Sequence, residues 1–234
     1  MATAKKAEII EIKPLRIEKM NIRIVGDTPF IVHAWSEKAK KEMLDAQQSA
    51  RKKTKRPYRD PFDEFAKSLY WLTPMPQEEW TDPLTGEKRM RVTEELFDKA
   101  IKEGARFGFP ANSFKQAANS AAYRMGEVPN QMALRSAYFL NDINGGELVE
   151  MKGSVPMCRE DMVKVGQGTA DLRYRGMFDT WYCDMVLEFN ANGKYTKAEI
   201  IDFLNKGGYG VGVGEWRPEH DGMFGRFHVE TIGK

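Results

Sequence analysis

Ile17, Met20, Ile22 and Ile24 recur among polar residues with the short spacing of a strand that buries one face. A sparser apolar pattern precedes it at Ile10 and Ile12, and Pro14 between them marks an edge or a break. Gly26-Asp27-Thr28-Pro29 is a turn signal, and the apolar run Phe30-Ile31-Val32 after it reads as a strand resuming past a kink. The pattern then becomes helical. Ser36 is placed to cap a helix over 37–50, with Glu37 in its first turn and bases further on. Residues 51–61 are basic and hold Pro57 and Pro61, which predicts an exposed arm. Phe62, Phe65, Leu69 and Leu72 return at helical spacing over 62–72. Pro74, Pro76, Pro83 and Gly86 follow, with a hairpin tip at 82–89, and Thr93 opens a helix over 93–103.

The clearest helix spans 112–125. Phe114, Ala117, Ala118, Ala121, Ala122 and Met125 fall on one stripe, mostly alanine and able to approach a neighbour closely, with Lys115, Gln116, Asn119, Tyr123 and Arg124 on other faces and Gly126 as a stop. Two apolar runs, around 137–140 and 148–157, are separated by Asn144-Gly145-Gly146, which predicts a hairpin. Residues 158–179 are polar and glycine-containing and read as a long loop. The best strand is 180–190, where Trp181, Cys183, Met185, Leu187 and Phe189 alternate with mostly polar neighbours. Thr196 and Glu199 form a capping box for a helix through Lys206 that Gly207-Gly208 would end, and 224–229 reads as a closing strand. The order is strand, insertion, helix, hairpin, strand, helix, strand. This predicts an α+β fold with a modified ferredoxin-like core built from 1–35 and 106–234, and residues 36–105 inserted as a partly helical unit.

Composition narrows the function classes. In 234 residues, 41% hydrophobic and 30% charged, no run approaches the ~20 apolar residues of a membrane span. Met1–Lys6 lacks the apolar core of a secretory signal, so a cytoplasmic protein is expected. Two cysteines, Cys158 and Cys183, read as reduced thiols, and the three histidines are not spaced as a metal cluster, so no metal or cofactor is expected. Net charge is only +2, so the distribution of charge matters more than its sum.

Four segments carry candidate binding chemistry. The first is the run from Gly207 to Pro218, where glycines at 208, 210, 212 and 214 permit close backbone approach and amides that donate to anions. It lacks the P-loop lysine and no helix follows it, so it matches neither nucleotide fingerprint; a structural turn is the alternative. The second is the stretch where Arg217 and Arg226 flank an acidic tip, and Arg can clamp phosphate or stack on bases. His220 beside Asp221 would need a nucleophile or metal to act as a base. The third is the basic arm, Arg51, Lys52, Lys53, Lys55, Arg56 and Arg59 around Tyr58, suited to phosphate contacts and base stacking. In the fourth, Arg173-Tyr174-Arg175 sets an aromatic between two guanidiniums, which suits single strands or serves structural ion pairs. No hydrolase, zinc-protease or paired-aspartate motif is present.

Three pieces resemble the RAMP superfamily, the RRM-like proteins that build CRISPR effector backbones. Thr28-Pro29-Phe30-Ile31-Val32-His33 is similar to the family's first-strand end, Phe109-Pro110-Ala111-Asn112-Ser113-Phe114-Lys115-Gln116-Ala117 to its helix opening, and Gly212 to Gly225 with Arg226-Phe227 to its terminal glycine-rich loop. Ala111 and Gln116 stand where the family has glycine. The resemblance implies an RRM-derived fold, an insertion acting as a thumb, and side-by-side assembly along a strand, with Asn112, Ser113, Lys115 and the 212–225 loop, including Gly212 and Gly214, near its backbone. The chain also resembles proteins of tailed phages, which implies phage DNA or RNA metabolism in the host cytoplasm. The expectation is thus a single-stranded nucleic-acid-binding protein that forms a homo-oligomer or filament, with Trp216 as a further stacking residue. The alternatives are an assembly protein without a nucleic-acid role, or a metal-independent endoribonuclease using His33 or His220.

Overall fold

The structure is a computed structural model and describes residues 14–34, 58–165 and 169–232. The helix expected over 37–50 and the basic positions Arg51, Lys52, Lys53, Lys55 and Arg56 lie outside the described residues.

In chain order, the elements are β1 (Ile17–Gly26), β2 (Phe30–Val32), α1 (Pro61–Lys67), β3 (Tyr70–Trp71), β4 (Glu78–Thr81), β5 (Lys88–Arg91), α2 (Glu94–Lys102), β6 (Phe107–Pro110), α3 (Ala111–Arg124), β7 (Tyr138–Asp142), β8 (Leu148–Gly153), β9 (Met157–Val165), β10 (Thr169–Phe178), β11 (Trp181–Asn190), α4 (Lys197–Gly210) and β12 (Phe227–Thr231). The fold is α+β. A seven-stranded sheet runs β12-β1-β11-β8-β6-β3, with β7 also paired to β11, and every pairing among the described residues is antiparallel.

The predicted alternation of β11 is realised: its odd-numbered residues from Trp181 to Phe189 are buried. Register places Met185 opposite Ile22 and Cys183 opposite Ile24, so two strands contribute to one apolar face. Helices α3 and α4 meet through the alanine stripe of α3, where Ala117, Ala118, Ala121 and Ala122 are buried. Phe114 anchors the start of α3, with its ring centroid 5.9 Å from Phe109, 5.3 Å from Phe227 and 6.3 Å from Trp181. Burial of that ring holds the helix start in place, and truncating it to alanine costs ~3–5 kcal/mol. Met125, assigned to the same stripe by periodicity, is exposed just beyond the last turn.

Several elements differ from the sequence expectation. Most of the described residues in 158–179 form strands, not a loop; β9 and β10 pair as a long antiparallel hairpin, which β2 extends to a three-stranded sheet. Their charged residues satisfy one another, with Asp161 accepting from Arg159 at 2.9 Å and from Arg175 at 3.3 Å, so a strand can form without an alternating apolar signal. Asn144-Gly145-Gly146 is no hairpin turn either: β7 and β8 lie in succession along the same edge of β11, and the glycines form an excursion between them. The helix of 62–72 stops at Lys67, because Tyr70 and Trp71 pair with β6 and lengthen the sheet.

Helix α4 has its capping box, but it continues through Gly207 and Gly208 to Gly210. A Cβ on Gly207 would stand 2.6 Å from the Ala118 nitrogen, so this glycine brings two helix backbones together instead of ending a helix. The final strand begins at Phe227, later than the apolar run suggested.

The described part of 36–105 is joined to the rest of the core. Phe65, Leu69 and Phe97 belong to the same apolar cluster as Phe107, and the Ser68 hydroxyl accepts the Gly176 amide at 2.8 Å. The expected hairpin tip at 82–89 joins β4 and β5. It closes on the buried Asp82 carboxylate, which accepts the amides of Leu84, Thr85 and Tyr58 and the Arg89 guanidinium. Burial alone would raise the Asp82 pKa; these donors outweigh it and hold it down to about 2.

Candidate functional site

Strand β6 leads directly into α3, and Pro110 at the junction leaves the first turn without a side-chain cap. Ala111 donates its amide to the Glu147 carbonyl at 2.9 Å, while Asn112 is exposed and Ser113 half-buried at the positive end of the helix dipole. The second segment is the one that follows α4. Its chain turns at Gly212 and Gly214 with φ of 70° and 77°, and a Cβ on Gly214 would stand 2.3 Å from the Ile31 carbonyl oxygen.

The two segments line one cleft of about 770 Å³. Asn112, Ser113, Lys115, Gly212, Gly214 and Arg217, all sequence candidates, line it. Gln116, Arg124, Arg135 and His33 line it as well. Among the described residues its lining holds four cations, Lys115, Arg124, Arg135 and Arg217, and two carboxylates, Glu215 and Glu219, so this lining is cationic while His33 is neutral.

The side chains differ in how freely they can act. Glu219 is clamped between Arg124 at 2.6 Å and Arg217 at 2.8 Å, and Arg217 also donates to the Gly214 carbonyl at 3.0 Å. Lys115, which the periodicity places off the alanine stripe, is nonetheless buried. Its Nζ donates to the Arg135 carbonyl at 2.8 Å and lies 4.4 Å from the centre of the Phe139 ring, and burial pushes its pKa down. Arg135 is exposed and makes no ion pair among the described residues. Burial, reinforced by the Arg175 guanidinium, lowers the His33 pKa and favours the neutral ring; His33 Nδ1 is buried without a hydrogen-bond partner.

The backbone plays a different part from the one expected. Val213 donates its amide to Gly225, Glu215 to Ile31, and Gly225 to Pro29, each at 2.8–2.9 Å. These three amides are committed to closing the glycine segment on itself and fastening it to the strand end at 29–31, so they are not donors to an anion in the cleft.

The remaining candidates are dispersed. Arg175 is buried between Asp161 and Glu215 and ties β10 to β9 through Asp161, whereas Arg173 pairs with Asp171 at 3.0 Å within β10 itself. Tyr174 is half-buried against the core. Tyr58 meets the edge of Trp80 with ring centroids 5.8 Å apart, and Arg59 bridges Glu64 and Asp171. Trp216 is exposed with a left-handed φ of 52°, but neither it nor His220 lines the cleft. Arg226 borders a second hollow, beyond the turn at Pro218.

Sequence reasoning missed Gln116 and Arg124 as cleft residues, although the signal was present. Ser113, Gln116, Ser120 and Arg124 follow one helical face, and all four line the cleft. Arg135 had no such signal, because it enters from beyond the short 3₁₀ turn Gln131–Leu134.

Among the described residues no group of three or more His, Cys, Asp or Glu side chains could hold a metal ion, and no helix is long and apolar enough to cross a membrane. No protein-family model and no curated protein matches the chain. Fold and site together define an α+β protein with a cationic, amide-lined cleft between a helix start and a glycine-rich turn.

Proposed function

We propose that this cleft binds a single strand of nucleic acid, on a core of modified ferredoxin-like type. The core reading is supported by β12-β1-β11-β7 as neighbours, with α3 and α4 as the two connecting helices, which is the arrangement expected of a split β-α-β unit. The observation that carries the functional reading is the convergence of Asn112, Ser113 and Lys115 with Gly212, Gly214 and Arg217 on one cleft that also presents Arg124 and Arg135. Guanidiniums suit phosphates, and the amides of Asn112, Gln116 and Gln131 suit the exposed base edges of an unpaired strand. Self-assembly belongs to the same reading: Met162 and Leu172 face each other in register on β9 and β10, and both are exposed. A place in phage DNA or RNA metabolism rests on the resemblance described above.

Fluorescence anisotropy with labelled DNA and RNA oligonucleotides, titrated across salt, tests the binding. Each phosphate neutralised contributes about −0.7 to the slope of log affinity against log salt. Arg135→Glu is expected to weaken binding about tenfold and to flatten that slope. Failure to bind any single strand at low ionic strength refutes the proposal.

A second reading rests on His33, a neutral imidazole with an unpartnered nitrogen in the cleft wall. Such a ring can serve as a general base in metal-independent RNA cleavage. Cleavage of labelled RNA in chelator that is lost in His33→Ala supports this; cleavage that persists removes His33 from consideration.

A further inference from the structure

Tyr209 is the penultimate residue of α4 and is 68% exposed, an unusual position for a large ring among the small residues Gly207, Gly208 and Gly210. The Arg226 guanidinium carbon lies 4.8 Å from the ring centroid, a cation–π contact that restrains the ring. Beside it is a hollow of about 360 Å³, bordered by Thr28, Tyr209, Pro218, Gly222, Met223 and Arg226. Among the described residues no carboxylate lines it, and Met223 on its rim is 75% exposed. The hollow adjoins the cleft across a single segment: Pro218 borders the hollow, while Arg217 and Glu219 on either side of it line the cleft.

We infer that this hollow receives one nucleobase of a strand whose sugar-phosphate backbone lies in the cleft, with the base stacked on Tyr209 and covered by the Met223 thioether; the inference rests on the nucleic-acid reading above. An aromatic face, a flexible thioether and a guanidinium make a surface that takes any base by its π face and its polar edge. The restrained ring loses little freedom when a base stacks on it. Arg226, one of the sequence candidates, thereby acts through Tyr209 as well as through its charge.

The test compares an oligothymidylate with an abasic strand of equal length, using wild type, Tyr209→Ala and Tyr209→Phe. Because the ring is exposed, removing it leaves the core intact. Tyr209→Ala is expected to weaken binding of the base-bearing strand roughly 5- to 100-fold. It should leave the abasic strand unaffected, and Tyr209→Phe should retain wild-type binding of both. Equal binding of the base-bearing strand by wild type and Tyr209→Ala overturns the stacking site while leaving the cleft reading intact. So does an equal loss on both strands, which would assign Tyr209 a role in shaping the backbone path. If wild type binds neither strand at low salt, both the cleft reading and the stacking site fall.

Discussion

Replacing Gly207 by alanine sets two effects of opposite sign against each other. Alanine is favoured over glycine inside a helix by ~1 kcal/mol. The added methyl, however, would stand 2.6 Å from the Ala118 nitrogen, 2.7 Å from its Cα and 2.8 Å from the Ala117 carbonyl carbon. Relaxed carbon contacts lie at ~3.5–4.0 Å, and these neighbours are backbone, so α3 and α4 must part by roughly 1 Å. Overpacking of this kind costs ~1–3 kcal/mol, and three simultaneous backbone collisions place it in the upper part of that range. The net expectation is a loss of about 1–2 kcal/mol, which lowers a urea midpoint by roughly 0.5–1 M at a slope near 2 kcal/mol per molar. Gly210→Ala, three residues on, is the control: its methyl meets only the flexible Met125 Cε, at 3.5 Å. That variant should gain ~0.4–1 kcal/mol through the unfolded chain. Oligonucleotide affinity should fall in Gly207→Ala, because the glycine segment rides on the end of α4 and moves away from the start of α3. A Gly207→Ala protein as stable as Gly210→Ala refutes the close helix contact as the reason for glycine there.

Asp82 supplies a pH dependence. Its folded pKa is about 2, below the ordinary aspartate value of ~3.9, so its stabilisation is complete above pH ~4 and fades as pH falls toward 2. Asp82→Asn should lower stability at neutral pH and flatten the loss of stability over that acid window, read by denaturation at a series of pH values; an unchanged acid profile would show that another carboxylate controls it. Arg175→Met should destabilise the protein by ~1–3 kcal/mol by removing a charged hydrogen bond from buried Asp161, which keeps Arg159 as a partner. Oligonucleotide affinity in the folded protein should stay within about twofold, and a selective loss of affinity would restore Arg175 as a contact residue.

Elements governed by near neighbours were legible. The alternation of β11, the alanine stripe of α3 and the Thr196–Glu199 capping box each depend on residues within about four positions of one another, and each formed as expected. The β9–β10 hairpin was not legible, because its charges find partners only once the strands are paired. At the site, the helix start and the glycine turn were named from the sequence, and the structure places both on the cleft. Tyr58, still exposed, meets the edge of Trp80, and Tyr174 packs against the core, while Tyr209, the exposed ring beside the second hollow, carries no periodic or motif signal that singles it out in the sequence.

By itself the amino-acid order determined where helices begin, which strand faces are apolar and which residues carry charge. Only tertiary structure decided which charges remain available. Arg175 is consumed by Asp161 and Glu215, Lys115 is drawn down onto Phe139, and Arg135 is left exposed in the cleft. The reason is physical: local conformational preference acts over a few residues, whereas desolvation and ion pairing are set by whichever distant segments the sheet brings together, as Ile31 is brought to Glu215.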